Sequence, residues 1–426
     1  MDTGGGLGRH VVVIGAGIVG AATAVELLRD GHRVTILEPG DPGGEQAASY
    51  GNGTLLSPSG VIPISTPGLW KEVPGYLFDP QGPLTIRWRY LPKLLPWLWR
   101  FLRAGSTEAK VAATARALRP LVANAPDLHR RLADEAGVGS LITRQGVLFV
   151  FPSRADFDAD ELSWRLRREN GTVWLELDAD ELRQRDPALD RRYTFGVLVE
   201  ANGQCADPGA YVSALARHAN ALGATLSRDR AVGFRIEERK LRAVRTATGE
   251  IICDKAVICA GARSKSLAAA AGDRVSLETE RGYHVVISDP GIAPRHPVVA
   301  SDTKSGCVMT PQGLRVAGQV ELAGLKAAPN WQRAKVLLEF ARRAYPGLPV
   351  TTRADQVKFW MGHRPSTPDG LPCIGPASGC PDVMHAYGHG HVGLTAGAAT
   401  ARLVADLVSG KLPQINPAPY SPQRFS

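Results

Sequence analysis

Four apolar residues in a row, Val11 to Ile14, break the alternation that a half-exposed strand would show. Such a run predicts a strand buried on both faces, as in a parallel sheet. From Ile18 to Arg29 the apolar positions recur at helical spacing, and Gly31 provides a stop. Arg33 to Leu37 predicts a second buried strand, closing on Glu38. The same punctuation returns later. Asp207-Pro208 introduces a helix over Gly209 to Leu222, and short strands are expected around 224–227, 231–237, 241–247 and 250–253. "AVICAGA" is one more buried strand running into a small-residue turn. Near the C-terminus an Ala/Leu/Val pattern begins a helix at about Gly393, which Gly410 ends.

Two long stretches, 59–200 and 275–355, interrupt this pattern. They carry strands in "GVLFVF" (146–151), "RGYHVVI" (281–287), "GCVMT" (306–310) and "LRVAGQVEL" (314–322), and a helix in "LEFARRAYP" (338–346). A chain of 426 residues exceeds one simple core. The organisation expected is an α/β nucleotide-binding domain assembled from 9–58, 201–274 and 356–415. A mixed-sheet α+β substrate domain comes from 59–200 and 275–355, and 416–426 form a tail.

The glycines of the first segment supply chemistry. Gly15, Gly17 and Gly20 make G-x-G-x-x-G between a strand and a helix. Gly15 permits the tight turn, Gly17 lets the backbone approach a pyrophosphate, and Gly20 lets helix and strand pack closely. The helix start, with Ile18 and Val19, offers free N–H groups to phosphates. Glu38 stands 18 residues beyond Gly20, where an acid accepts hydrogen bonds from ribose hydroxyls. A nicotinamide enzyme would continue into another strand and helix. Here "PGDPGGEQAASYGNGTLLSP" stays rich in Gly, Ala, Ser and Asn, which suits a loop along an extended cofactor.

Charge and cysteine content narrow the classes. The formal net charge is +9, but the arginines are scattered, with only local clusters such as "RLRRE" at 165–169. No nucleic-acid motif accompanies them. None of the six cysteines forms a CxxC pair, so no metal site is expected, and Cys253 and Cys259 are read as buried thiols of a reducing compartment. The apolar run 11–28 contains Glu26 and three motif glycines, which argues against a membrane span. Residues 85–105, "TIRWRYLPKLLPWLWRFLRAG", are different: Trp88, Trp97, Trp99 and Phe101 alternate with Arg87, Arg89, Lys93, Arg100 and Arg103. Pro92 and Pro96 are expected to break the segment up. It suits either a helix packed on its own domain or a membrane interface, apolar face down.

Ala48-Ser49, Asn52-Gly53 and Ser57-Pro58 carry a family signature. With the N-terminal motif, they make the chain resemble the D-amino-acid oxidase superfamily of FAD-dependent oxidoreductases, from about residue 10 to 410. The likeness is greatest to the small, flavin-bearing subunit type of bacterial D-amino-acid dehydrogenase. It implies a glutathione-reductase-type, Rossmann-like domain and FAD. No cysteine stands at Gly362-His363, where some covalent-flavin relatives carry one, so FAD is expected to be non-covalent. Cofactor contacts are then expected from Ser49, Asn52, Gly53, Thr54 and Leu55, and from Val232, Ala260 and Gly261. Gly390, His391, Val392, Gly393, Leu394 and Thr395 would complete them at the flavin pyrimidine, where a helix N-terminus stabilises negative charge.

The resemblance also makes Gly362-His363-Arg364-Pro365 a substrate-binding turn. Arginine's planar fork fits an amino-acid carboxylate. Tyr283 would bond the carboxylate or close the pocket, and His363 would tune substrate choice. The implied reaction is hydride transfer from the substrate α-carbon to flavin N5, with electrons passed to a respiratory quinone or another electron-transfer partner rather than oxygen. A D-hydroxyproline, opine, sarcosine or glycine-type amine oxidoreductase is the nearest alternative. A flavin-binding subunit active only with partner chains is a different class. The expected location is cytoplasmic, or peripheral on the inner face of the plasma membrane through 85–105.

Overall fold

In the computed structural model, which describes residues 8–79, 81–349 and 353–425, the first apolar run lies at the centre of a six-stranded sheet. The order is Thr225–Ser227, Arg33–Leu37, His10–Ile14, Lys255–Ile258, Val383–Tyr387 and Cys373–Pro376. The first five strands are parallel and the edge strand is antiparallel. Val11 and Val13 face a helical layer, while Val12 and Ile14 face a second core beneath a three-stranded meander (231–252). Both faces are dry, which explains why the run has no polar member. The helical layer is Ile18–Arg29, packed between Pro208–Ala221 and Gly393–Ser409. Asp207 caps the second of these through Ala210 N. Gly410, with φ +71°, ends the third. That last helix is apolar enough to cross a membrane by composition, but most of it is buried in this core.

The second half is a nine-stranded mixed sheet. Val357–Ser366 lies at one edge, next to Glu278–Ile287, Gly313–Leu322 and Ser305–Thr310. Val298–Ala300, Val147–Phe151, Phe195–Val199 and Leu175–Leu177 continue it, and Leu84–Ile86 pairs with Gly313–Leu322. Helix Gln332–Ala344 covers one face, burying Val285, Ile287, Val316, Leu337 and Phe340 in one core. The other face roofs the nucleotide domain. A small sheet of Leu55–Leu56, Gly203–Cys205 and Ile142–Thr143 ties the halves together.

Four features depart from the pattern-based expectation. Residues 357–366 belong to the substrate sheet, not the nucleotide domain, because Val357–Ser366 pairs along its whole length with Glu278–Ile287. Helices Glu108–Val122 and Ala125–Glu135, expected in the substrate domain, bury Leu118, Val122 and Leu132 against the nucleotide core. The tail is docked: Tyr420 is buried, and Arg424 grips Asp369 and the Leu371 carbonyl. Leu91–Ala104 is a continuous helix, since Pro92 sits in its first turn, where no intrahelical N–H bond is lost, and Pro96 is accommodated inside. Residues 80, 350–352 and 426 of the expected spans lie outside the described residues.

Candidate active site

The turn between the first strand and helix is shaped by its glycines. Gly15 has φ +107°, and a Cβ there would stand 2.6 Å from the Cys259 carbonyl oxygen. A Cβ on Gly20 would strike the Gly15 carbonyl, so Gly20 serves helix–strand packing and does not line the cavity. Above Gly17 the space is open except for Ser49 Oγ, 3.4 Å from a built Cβ. Ser49 Oγ accepts a hydrogen bond from Ile18 N at 3.0 Å. Glu38 accepts from Ala16 N at 2.9 Å and from Gly40 N at 3.1 Å, so the carboxylate also stiffens the phosphate turn.

These residues open onto one cavity of about 2060 Å³ that runs between the halves. Ligand sites usually span ~300–1,000 Å³, so this one has room for an extended cofactor and a substrate. Gly15, Gly17, Ile18, Val19, Glu38, Ser49, Asn52, Gly53 and Leu55 line it, as do Val232, Ala260 and Gly261. Gly390, His391, Val392, Gly393, Leu394 and Thr395 close the far end. Thr54 does not line it. Its φ of +68° turns the chain, Asn52 Oδ1 accepts its N–H at 2.9 Å, and its carbonyl accepts Cys205 N at 2.8 Å. Thr54 therefore holds the loop rather than facing the cavity. Thr395 Oγ1 donates to the Leu55 carbonyl at 3.2 Å and joins that loop to the C-terminal helix.

The groove fits FAD. A glycine cradle sits at a helix N-terminus, with an acid on the neighbouring strand and a second helix start opposite. Among the described residues, the cysteine lining the cavity is Cys259, whose thiol burial pushes well above its ordinary value. A thiol held protonated is a poor nucleophile, in keeping with a non-covalent cofactor. Among the described residues, no three His, Cys, Asp or Glu side chains converge on a metal-like site.

The substrate wall is a sheet surface rather than a turn. Arg364 lies in extended strand, and the tight turn expected for Gly362–Pro365 begins only at Thr367. The guanidinium crosses over Gly282 on the next strand, where a Cβ would collide with it. It donates to the Gly318 and Gln319 carbonyls, each at 3.3 Å. Those carbonyls are displaced by a bulge: the register steps from Gly282↔Val320 to Tyr283↔Gly318, leaving Gln319 extra, with φ +39°. Bulges re-aim groups in this way beside active sites. Gln319 also lines the cavity, and among the described residues its buried Nε2 has no hydrogen-bond partner.

Tyr283, expected in the pocket, is one strand position out of phase. Strand side chains alternate, so Gly282 faces the cavity and Tyr283 faces the opposite core. Its hydroxyl donates to Glu321 Oε2 at 2.5 Å and accepts from Asn330 N at 2.9 Å. Burial, with Glu321 beside it, pushes the phenol up to about 12. The "G-Y" signal thus belonged to its glycine. His363 borders the cavity, but its Nδ1 pairs with Thr279 Oγ1 at 2.9 Å. Burial, then Arg281 and Arg263, bring it down to about 4, so it is neutral. His389 bonds Thr400 Oγ1 at 3.0 Å and is neutral through burial.

Further wall residues come from positions that carry no motif. Trp360 lies across Gly51 and Gly362, stacks on His284 at 5.0 Å, and anchors Nε1 on the Glu45 carbonyl. Its signal was the glycine two places along its own strand. Glu280, buried beside Arg364, accepts a 2.6 Å hydrogen bond from His391. Burial would raise its carboxyl, but His391 and Arg364 outweigh that and hold it below the usual carboxylate range. Overhead, Trp97, Leu98, Phe101 and Leu102 of helix Leu91–Ala104 form an apolar roof. Trp97 Nε1 donates to the Ser366 carbonyl at 3.2 Å.

Comparison with known proteins agrees with this geometry. Residues 10–407 match the DAO family, described as FAD dependent oxidoreductase. A D-amino-acid oxidase of Bradyrhizobium diazoefficiens is 59% identical over 418 residues, covering 98% of this chain and 99% of the relative. A D-amino acid dehydrogenase 2 of Ralstonia nicotianae is 31% identical over 423 residues, covering 97% and 99%. Among solved structures, glycine oxidase from Geobacillus kaustophilus superposes with a TM-score of 0.72 at 23% identity, covering 97% of this chain and 98% of that one. That likeness speaks for the fold alone.

Proposed function

Because the chain belongs to the DAO family of FAD-dependent oxidoreductases and is an amino-acid-oxidising enzyme of that family, we propose that it oxidises D-amino acids with the substrate carboxylate on Arg364. The observation that carries this is the guanidinium laid across Gly282 onto two bulge carbonyls at only 3.3 Å, with its fork on the cavity wall. Its two bonds are long and go to neutral carbonyls, and the neighbouring Glu280 carboxylate is itself bonded to His391, so the half-buried guanidinium keeps its fork for a carboxylate.

FAD, when bound, supplies the two-electron acceptor for the Cα–H bond. The chain's own part is orientation. Arg364 would hold the carboxylate end, beside Gln319, whose Nε2 has no partner among the described residues. The roof of Trp97, Leu98, Phe101 and Leu102 excludes water and favours an apolar side chain. Such positioning contributes most when no covalent step is needed. D stereochemistry is supported by the relatives' names, as D-amino-acid oxidase and D-amino acid dehydrogenase.

The acceptor has two readings. Oxygen is favoured by the name of the relative at 59% identity. A quinone, reached at the inner face of the plasma membrane, is favoured by the outer side of helix Leu91–Ala104. There Trp99 is 69% exposed and Trp88, just before it, 64%, among Arg89, Lys93 and Arg100. Aromatic and cationic residues in that mixture suit a lipid interface.

The test is anaerobic reduction of the purified yellow protein by D- and L-amino acids, cis-4-hydroxy-D-proline, sarcosine and glycine. Bleaching by D-amino acids alone is expected. Bleaching only by sarcosine, glycine or hydroxyproline would move the substrate class, and no bleaching would overturn the role of Arg364. Reoxidation by air, or only by quinone, then assigns the acceptor.

A further inference from the structure

Glu280 is a buried carboxylate on the substrate wall for which the proposed binding of substrate gives no use. It and Arg364 are register partners on adjacent strands and lie on the same face. An amino acid whose carboxylate meets Arg364 therefore has its ammonium within reach of this second site. Across the cavity, His391 comes from the loop that opens the C-terminal helix and donates Nε2–H to Glu280 at 2.6 Å. With Nε2 committed as donor, Nδ1 is left as the acceptor. Among the described residues Nδ1 makes no hydrogen bond, and the side chain, 37% exposed, borders the cavity.

Oxidation by hydride loss needs the amine lone pair, whereas an amino acid arrives as an ammonium. We infer that His391 is a catalytic base that takes the ammonium proton at Nδ1, and that Glu280 is the positioning residue that fixes its tautomer and stabilises the imidazolium. This rests on the D-amino-acid reading above. One N–H bond of the ammonium breaks and one forms at Nδ1. The Cα–H electron pair then leaves with its hydrogen to FAD, and the nitrogen lone pair closes the C=N bond. When the product leaves, His391 returns its proton to solvent. A carboxylate that holds a histidine in one tautomer and stabilises its imidazolium is the arrangement of the Ser-His-Asp triad.

The surroundings add few competing charges. On the Val357–Ser366 strand the neighbours are Arg364 and Ser366. On Glu280's own strand, Glu278 is engaged by Tyr90 Oη at 2.9 Å. His389 on the loop is neutral and bonded to Thr400. The roof contributes Trp97 and Phe101.

The test compares wild type with H391Q, H391G and E280Q, all loaded with FAD. The limiting rate of anaerobic flavin reduction at saturating D-amino acid is followed against pH. General-base catalysis is worth roughly 10²–10⁴-fold. H391Q should lose about that factor at pH 7 and regain rate as pH rises towards the ionisation of the amine itself. Added imidazole should restore part of the rate in H391G. E280Q should show a smaller loss. FAD content, and affinity for 3-phenylpropanoate read from the flavin absorbance, should stay within about twofold, because that ligand has a carboxylate and no amine. Variants that keep the wild-type pH profile, or that lose FAD or 3-phenylpropanoate binding instead, would overturn the inference and leave the pair a structural clasp. A wild-type protein that no amino acid reduces would overturn the underlying D-amino-acid reading, a result the variants cannot produce.

Discussion

The two halves of this molecule build their binding surfaces in opposite ways. The nucleotide half assembles its phosphate turn from one short stretch, Gly15 to Glu38, in which each residue's role follows from its neighbours. The substrate half builds its wall from three strands whose contributions lie far apart: Gly282, Gly318–Gln319 and Arg364. Glycine serves both, with different effects. Gly20 admits a backbone carbonyl of its own turn, and Gly282 admits a side chain from another strand. The first kind of contact sets whether the fold closes. The second sets whether a functional group is aimed.

The sharpest way to break this comparison is at Arg364. Arg364→Ala removes the carboxylate partner but none of the nucleotide groove. Truncating one member of a buried charge pair costs about 2–5 kcal/mol, so KM should rise by roughly 30-fold to several thousand-fold with FAD content unchanged. Steady-state kinetics alongside flavin absorbance would check this, and an unchanged KM would refute the role.

The two glycines come next. Gly20→Ala should destabilise by about 1–3 kcal/mol through overpacking, seen as a lower Tm and lost FAD. Gly282→Ala should leave Tm and FAD nearly intact but raise KM about 10-fold or more, because the guanidinium must move. If both variants failed in the same way, the distinction between closing and aiming would be lost.

Acid should expose a property the halves share. His284, His129 and His389 are buried and His363 is half-buried; all four are neutral, brought down to about 3 for His284 and about 4 for the others, chiefly by burial. Their folded values lie below the unfolded value of about 6.5. Their contribution is therefore complete above pH 6.5 and declines as pH falls from there towards 4. Each costs up to about 1.4 kcal/mol per pH unit in that window. Urea melts between pH 7 and 4.5 should show a steepening loss, and His389→Gln should flatten it.

The smallest expected effect lies on the surface. Trp88→Gln with Trp99→Gln should leave amino-acid oxidation within about twofold, since surface changes are mostly below ~0.5 kcal/mol. Flotation with anionic vesicles should fall if the helix lies on lipid. Equal flotation would remove the membrane reading and leave oxygen as the simpler acceptor.

The contrast also explains what was legible in the sequence. The Ile18–Arg29 helix and the Arg33–Leu37 strand were readable to the residue because periodicity and glycine punctuation are local. The segment around Arg364 reads as a turn because Gly362 and Pro365 are turn formers in isolation, but it is strand. Here Pro365 lies one residue from the end of an edge strand, where a missing N–H costs little. In the Gly282-Tyr283 pair the tyrosine carries the reactive-looking group, yet the two-residue period puts the glycine on the cavity side. The Gln319 bulge leaves no mark in composition. Glu280 and His391 lie 111 residues apart, so no spacing rule could join them.

One feature of the nucleotide half bears on how the protein is made. The helix that carries the cofactor's phosphate turn, Ile18–Arg29, is covered by Gly393–Ser409, from the far end of the chain. At ~5–20 residues per second, the ribosome delivers the cover roughly 20–70 s after the turn. During that interval Pro208–Ala221 can cover one side of the helix, but the side that Gly393–Ser409 takes stays bare. The cofactor's groove, whose far end Gly390 to Thr395 close, is therefore completed late in synthesis. A nascent chain stalled before residue 390 would present a finished dinucleotide motif to chaperones rather than to FAD.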